Sequence, residues 1–309
     1  DVYSIYDVPV NFEKENFGAT LLKALGLSPR ERDLKEWVKL AEKVKKINKE
    51  VKIGIVGKYF NFKSCKDTYI SVIESINHAS WALNFKPAVL WLDSEKYEQN
   101  PSKLKELKDL DGIIVPGGFG KRGTEGMILA ANYARVNMIP YFGLCLGVQI
   151  MTIAFARDVL NLKRANSTEM DPNTPDPVIA TMADQVDKIK NKNYGASMRL
   201  GSYPANLEKG SIAFASYGIS KISERHRHRY EVNTKYIAEL QKAGLVFSGK
   251  SPDGVLMEIV ELPKNVHPFY LGTQFHPEFK SRPLNPHPLF TAFLKACLPA
   301  QASVQKAKK

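Results

Sequence analysis

Cysteine is scarce in this sequence. The 309 residues hold three, Cys65, Cys145 and Cys297, too few and too scattered for a disulfide framework or a zinc site. A reducing, cytoplasmic setting fits that usage, and no metal centre is expected. No apolar run approaches the ~18–20 residues needed to span a bilayer, so no helical membrane span is expected. The opening residues Asp1-Val2-Tyr3-Ser4 carry no initiator Met, basic stretch or apolar core of a leader. They read as a cut end within a longer polypeptide. The formal charge of +12 raises the question of nucleic acid. Much of the excess, however, sits in Lys43-Val44-Lys45-Lys46, in Lys188-Ile189-Lys190-Asn191-Lys192 and in Lys306-Ala307-Lys308-Lys309. Aromatic residues that would stack bases are missing from all three, which therefore read as a solvated helix face, a loop and a tail.

With 44% hydrophobic and 25% charged residues, the composition suits a globular protein of one large or two smaller domains. Residues 1–49 do not read as an independent domain. Leu34, Trp37, Val38, Ala41 and Val44 fall at helical spacing behind Asp33, a plausible N-cap, after a break at Leu27-Ser28-Pro29.

From residue 51 the pattern alternates. Val51–Val56, Ala88–Leu92 and Gly112–Val115 read as strands. Helical faces at Tyr69–Ala79, Leu104–Leu110 and Thr124–Asn137 alternate with them. Such alternation predicts a mostly parallel central sheet flanked by helices, with ligands at the carboxyl ends of the strands. Further short strands are expected near 211–216, 245–248, 255–261 and 269–275.

The most informative stretch is Gly143-Leu144-Cys145-Leu146-Gly147. An apolar strand precedes it (Met138–Phe142), and Val148–Ala156 has helical length and composition. Strand, sharp turn and helix make a nucleophile elbow with cysteine in place of serine. The two glycines avoid a collision where strand and helix cross, and the helix N-terminus favours a thiolate. Taken alone, the elbow leaves a buried structural cysteine equally open. A second strand-end loop, Pro116-Gly117-Gly118-Phe119-Gly120, frees backbone N–H groups that, with that of Leu146, suit an oxyanion hole. It is neither a Walker loop nor a dinucleotide fingerprint. A base is offered by His276 in Phe275-His276-Pro277-Glu278-Phe279. Pro277 biases His276 towards extended geometry, which would put Glu278 on the same face and complete a nucleophile, base and orienting carboxylate.

These motifs resemble the class I glutamine amidotransferases, and within them the glutaminase domains of CTP synthases. The resemblance is carried by Val56–Tyr59, Val115–Gly120, Arg122–Gly126, Gly143–Gln149, Ala165–Glu169, Met198–Gly201, Glu224–Glu231 and Gln274–Phe279. The stretch Asp1–Pro9 is similar to the tail of the synthetase domain. Val148 departs from the more usual methionine, a change a backbone contact tolerates. The resemblance implies a flavodoxin-like α/β fold, with residues 1–49 as synthetase tail and linker helix, 50–300 as the glutaminase domain and 301–309 as a basic tail.

It implies that Cys145, His276 and Glu278 hydrolyse glutamine through a glutamyl thioester. Gly118 and Leu146 would form the oxyanion hole, and Gly118, Leu146, Gly147, Val148, Gln149, Glu169 and Arg229 would hold glutamine. A carboxylate suits the α-amino group and a guanidinium the α-carboxylate. No cofactor is implied for this domain. ATP and Mg would serve a synthetase domain that aminates UTP to CTP, and GTP would activate, with Lys58, Phe119 and Arg122 as candidate contacts. Full-length relatives are expected to be homotetramers. Rival readings are a γ-glutamyl hydrolase-type peptidase on the same scaffold, a glutamine-sensing module without catalysis, and a basic nucleic-acid-binding domain. The first leaves the Glu169 and Arg229 motifs unexplained, and the intact Cys145, His276 and Glu278 set argues against the second.

Overall fold

Strand β1 (Glu50–Gly57) buries Val51, Ile53, Ile55 and Val56 completely or nearly so. That run of β-branched residues can only be satisfied inside a sheet covered on both faces. The structure, a computed structural model, describes residues 2, 4–28, 31–58, 68–181 and 198–298. Tyr59, Cys65, the basic run 188–192, residues 182–195 of the stretch from Asp171 to Gly195, and the tail 301–309 lie outside the described residues.

Ahead of the sheet come α1 (Val8–Lys14), α2 (Phe17–Ala24) and α3 (Lys35–Lys46). The Asp33 side chain accepts the N–H of Lys35 at 3.2 Å, while Leu34 occupies the cap position itself. Tyr6, Leu40 and Trp81 form a small core that ties this segment to helix α4 (Ile70–Ala82). The Trp37 indole donates to the Tyr6 carbonyl at 2.8 Å, and the Tyr6 and Trp81 rings meet edge to face at 4.9 Å.

The sheet continues with β2 (Lys86–Asp93), α5 (Glu95–Gln99), β3 (Gly112–Val115), α6 (Thr124–Val136), β4 (Tyr141–Leu144) and α7 (Leu146–Asp158). Beyond α7 lie β5 (Ala165–Ser167), β6 (Asp176–Thr181), β7 (Arg199–Leu207), α8 (Ile212–Tyr217), β8 (Lys221–His228) and β9 (Tyr230–Val232). The chain closes with α9 (Ile237–Lys242), β10 (Val246–Lys250), β11 (Met257–Glu261), β12 (Tyr270–Thr273) and α10 (Pro288–Cys297). The nine-stranded sheet runs β2-β1-β3-β4-β12-β11-β10-β7-β8, and β5-β6-β9 form a smaller one. The five strands from β2 to β12 are parallel. The remaining four extend the sheet in antiparallel pairing.

Alternation along the parallel strands builds two cores. Ile113, Val115 and Tyr141 pack with Met127, Ile150 and Phe155 from α6 and α7. Ile114, Phe142 and Leu144 face Ile76, Phe290 and Phe293 from α4 and α10. Helices thus cover both faces, and the carboxyl ends of β3, β4 and β12 converge at one place on the sheet.

The strand expected near 211–216 is instead helix α8. Ser211 caps it by accepting the N–H of Phe214, and the Glu261 carboxylate accepts those of Ile212 and Ala213. The apolar alternation there is also compatible with one short helical turn entered from a serine. Strands β7 and β8, absent from the sequence reading, form a long hairpin with Arg199 opposite His228 and Asn206 opposite Lys221.

Candidate active site

Strand β4 enters Cys145, and α7 leaves it. An ideal Cβ on Gly143 would lie 2.5 Å from the carbonyl atoms of Gly147, and one on Gly147 would lie 2.2 Å from the Val115 oxygen. Neither position admits a side chain, so both elbow glycines are steric requirements. Cys145 itself adopts φ 51° and ψ −96°, a backbone conformation that costs an L-residue on the order of 1–3 kcal/mol. Its N–H donates to the Thr273 carbonyl at 2.7 Å, so β12 fixes the elbow from the side. Cys145 is 3% exposed, with Sγ 3.8 Å from the Arg227 carbonyl and 3.9 Å from Nε2 of Gln274.

His276 follows β12. Its N–H donates to the Arg225 carbonyl at 2.8 Å, and Nδ1 lies 2.7 Å from Oε1 of Glu278. The two side chains meet as expected, for a different reason. Pro277–Phe279 is one turn of 3₁₀ helix, not an extended segment, and that turn folds Glu278 back under the imidazole. The Phe279 ring stacks on the imidazole at 5.0 Å and 13°. The Gly117 position locates the rest. A Cβ there would stand 2.9 Å from Cε1 of His276 and 3.6 Å from Cβ of Cys145. Strand-end loop, thiol and imidazole therefore share one small space. His276 Nε2 is buried there without a hydrogen-bond partner among the described residues. Burial alone would drive the proton off His276, but the neighbouring Cys145 and Glu278 outweigh it and hold the imidazole well above its ordinary value.

On the other side of the glycine loop, the Gly120 N–H donates to Oε1 of Glu169 at 2.8 Å, and its carbonyl accepts from Nζ of Lys58 at 2.6 Å. Arg122 donates to the Lys58 carbonyl at 2.6 Å and pairs with Glu95 at 3.1 Å. Burial lowers Lys58 to about 8; Glu169 opposes that shift and Arg122 adds to it. Phe119 is 41% exposed, with the Arg227 guanidinium 5.7 Å from its ring centroid. Lys58, Phe119, Arg122 and Glu169 are thus grouped around one loop.

Leu146, Gly147 and Val148 form the buried first turn of α7. As its first residue, Leu146 has an N–H with no intrahelical acceptor, and Gly118 lies in the loop after β3. Gln149 donates to the Tyr230 carbonyl at 2.9 Å, and its Oε1 is buried without a partner among the described residues. Arg229, half-buried, occupies the break between β8 and β9, next to Tyr230.

Two features were not legible as parts of a site. One is Gln274, within reach of the sulfur. The other is a buried polar cluster behind β8. There Arg199 lies 2.7 Å from Glu258 and 3.6 Å from Glu231, and His226 and His228 are 3.0 Å apart. Among the described residues no group of three or more His, Cys, Asp or Glu is arranged to hold a metal ion. Nor is any described helix long and apolar enough to cross a membrane.

A cysteine elbow, an imidazole and a carboxylate meeting under a glycine loop have counterparts among known proteins. Residues 64–296 match the family Glutamine amidotransferase class-I. The chain belongs to that family. It is 48% identical over 304 residues to the CTP synthase of Saccharopolyspora erythraea, covering 98% of this chain and 53% of that protein. With the CTP synthase of Acidothermus cellulolyticus it shares 48% over 299 residues, again 53% of the relative. A solved structure, the glutaminase domain of Trypanosoma brucei CTP synthase with bound acivicin, superposes with TM-score 0.74 at 40% identity. That match covers 80% of this chain and 93% of the other. The chain spans about half the length of the curated relatives and corresponds to the glutaminase domain of CTP synthases.

Proposed function

We propose that this domain hydrolyses L-glutamine to glutamate and ammonia, with Cys145 as nucleophile, His276 as acid and base, and Glu278 as the carboxylate that orients the imidazole. The observation that carries the reading is the shared space at Gly117, where a buried thiol meets an imidazole that carries a carboxylate on Nδ1, thiol and carboxylate together holding the imidazole's proton. Sγ attacks the side-chain amide carbon. The N–H groups of Gly118 and Leu146 receive the developing oxyanion. His276 delivers its proton to the amide nitrogen, which leaves as ammonia and a glutamyl thioester remains. Water, deprotonated by His276, then attacks the thioester, and glutamate departs as the thiol is restored. Glu169 holds the α-amino group and Arg229 the α-carboxylate, while Gly118, Leu146, Gly147, Val148 and Gln149 line the rest of the glutamine site. The acivicin-bound relative supports a pocket of this kind.

For the whole protein, the ammonia passes to a synthetase domain that aminates UTP to CTP with ATP and Mg. Residues 1–49 join the two, 50–300 form the glutaminase domain, and 301–309 a basic tail. GTP acts as an activator near the loop that carries Lys58, Phe119 and Arg122, where two cations and an exposed ring suit a purine nucleotide. The assembled enzyme is a cytoplasmic homotetramer held by the synthetase half.

The test is release of glutamate and ammonia from glutamine, with and without GTP, by this chain and by Cys145→Ala. Activity abolished by the substitution supports the reading. Hydrolysis that survives in Cys145→Ala refutes it, and so does failure of a reactive glutamine analogue to label Cys145 in an inactive chain.

A further inference from the structure

We propose that Gln274 is a further catalytic residue. Its side-chain N–H donates to the Cys145 sulfur and stabilises the thiolate, and Gln149 holds the amide in that orientation. The proposal rests on the glutaminase reading, since it concerns the same nucleophile.

Gln274 is fully buried directly after β12, and its backbone N–H is spent on the Glu258 carbonyl at 2.9 Å. Its side chain therefore has a fixed base and no water to turn to. The Gln149 amide nitrogen donates to the Tyr230 carbonyl at 2.9 Å and to Oε1 of Gln274 at 3.5 Å. A backbone carbonyl only accepts, so the Tyr230 contact fixes which end of Gln149 is nitrogen. That nitrogen in turn demands an oxygen from Gln274, because the flipped amide would set two donors against each other. With its oxygen committed, Gln274 can present only its nitrogen to Sγ, at 3.9 Å.

The other neutral contact of the sulfur has the opposite preference. The Arg227 carbonyl, 3.8 Å away, accepts an S–H but repels a thiolate. When the sulfur ionises, that contact is lost and the Gln274 contact becomes charge-assisted. The titratable group facing the sulfur is His276, backed by Glu278. His226 and His228 lie on β8, which supplies the Arg227 carbonyl; the glycine loop brings no charge at Gly117, and Lys58 and Glu169 sit beyond it at Gly120. Gln274 thus supplies a non-titrating dipole, already oriented before reaction and needing no rearrangement during it.

The experiment measures the rate at which iodoacetamide alkylates Cys145 against pH in the wild type and in Gln274→Met, which keeps length and apolar volume but removes the donor. The expected result is an alkylation profile displaced to higher pH, by about one unit and thus about tenfold in rate on the acid side, with a matching fall in glutaminase kcat and little change in KM. A folded Gln274→Met with an unmoved profile overturns the proposal. The wild type supplies a test free of any folding question. The ¹⁵N resonance of the Gln274 side-chain amide should shift when Cys145 is alkylated, and a resonance that stays put overturns the proposal. Glutamate release that survives Cys145→Ala would instead sink the glutaminase reading itself.

Discussion

Nδ1 of His276 and Oε1 of Glu278 lie 2.7 Å apart across a single 3₁₀ turn, so the carboxylate keeps a hydrogen on Nδ1 and fixes the orientation of the imidazole from that side. Glu278→Gln keeps the shape and removes the charge. Glutamate release should fall on the order of 10²-fold or more, the usual worth of a positioned acid–base group. Because Glu278 helps hold the His276 proton that the first step delivers, the alkaline limb of the kcat/KM profile should also move to lower pH. An unchanged limb would show that the carboxylate only packs there.

Lys58 offers a second titration. Its ammonium is buried beside Arg122 and Glu169 and loses its proton near pH 8, not in the usual lysine range. Removing the cation in Arg122→Ala should raise that value, and removing the anion in Glu169→Gln should lower it further. Reductive ¹³C-methylation followed by NMR titration reads both; a Lys58 signal titrating near 10.5 in all three proteins would refute the assignment.

The parallel half of the fold was legible because its strands bury aliphatic runs, Val51–Val56 and Gly112–Val115 among them, between helices with clear apolar faces. Strand β8 was not, although it alternates strictly between exposed and buried positions. Its inward residues are Ile222, Glu224, His226 and His228, so a pattern sought in hydrophobicity vanishes where ion pairs replace apolar contacts. The same substitution hid the site's outer parts. Cys145, His276 and Glu278 were readable as candidates from residue type and spacing, although the turn that joins the last two is 3₁₀ and not the extended segment expected. Gln274 depends on Gln149 and Tyr230 arriving from α7 and β9, a contact no local pattern encodes.

That buried cluster should set the pH dependence of stability. Burial lowers His226 to about 3 and His228 well below its ordinary value, and pushes Glu258 up to about 7. As pH falls below about 6.5, the unfolded chain takes up protons on both histidines that the native state refuses. Each histidine therefore costs about 1.4 kcal/mol of stability per pH unit. Glu258 acts in the other sense, since between about 7 and 4.5 the native state holds a proton the unfolded chain has released. The two effects partly cancel down to about pH 4.5, and stability should then fall steeply. Urea midpoints measured from pH 7 to 3.5 test the shape, and His226→Gln should flatten the lower limb by one proton. A lower limb as steep as the wild type's would remove His226 from the account.

The strain at Cys145 makes a prediction about stability at the expense of chemistry. Replacing alanine by glycine normally destabilises a buried element by roughly 0.5–1 kcal/mol. At φ 51° and ψ −96° the sign should reverse, because glycine relieves a backbone cost of about 1–3 kcal/mol that alanine keeps. Both variants lose the sulfur, so the comparison isolates the backbone. Cys145→Gly should unfold at a higher urea midpoint than Cys145→Ala, with both inactive. Two positions on, Gly147→Ala should do the reverse, since its Cβ would stand 2.2 Å from the Val115 oxygen, and overpacking of this kind costs about 1–3 kcal/mol or more. If Cys145→Gly proved the less stable of its pair, the elbow would not be strained, and the energy to hold the thiol in place would have to come from the Thr273 hydrogen bond and the packing of α7 alone.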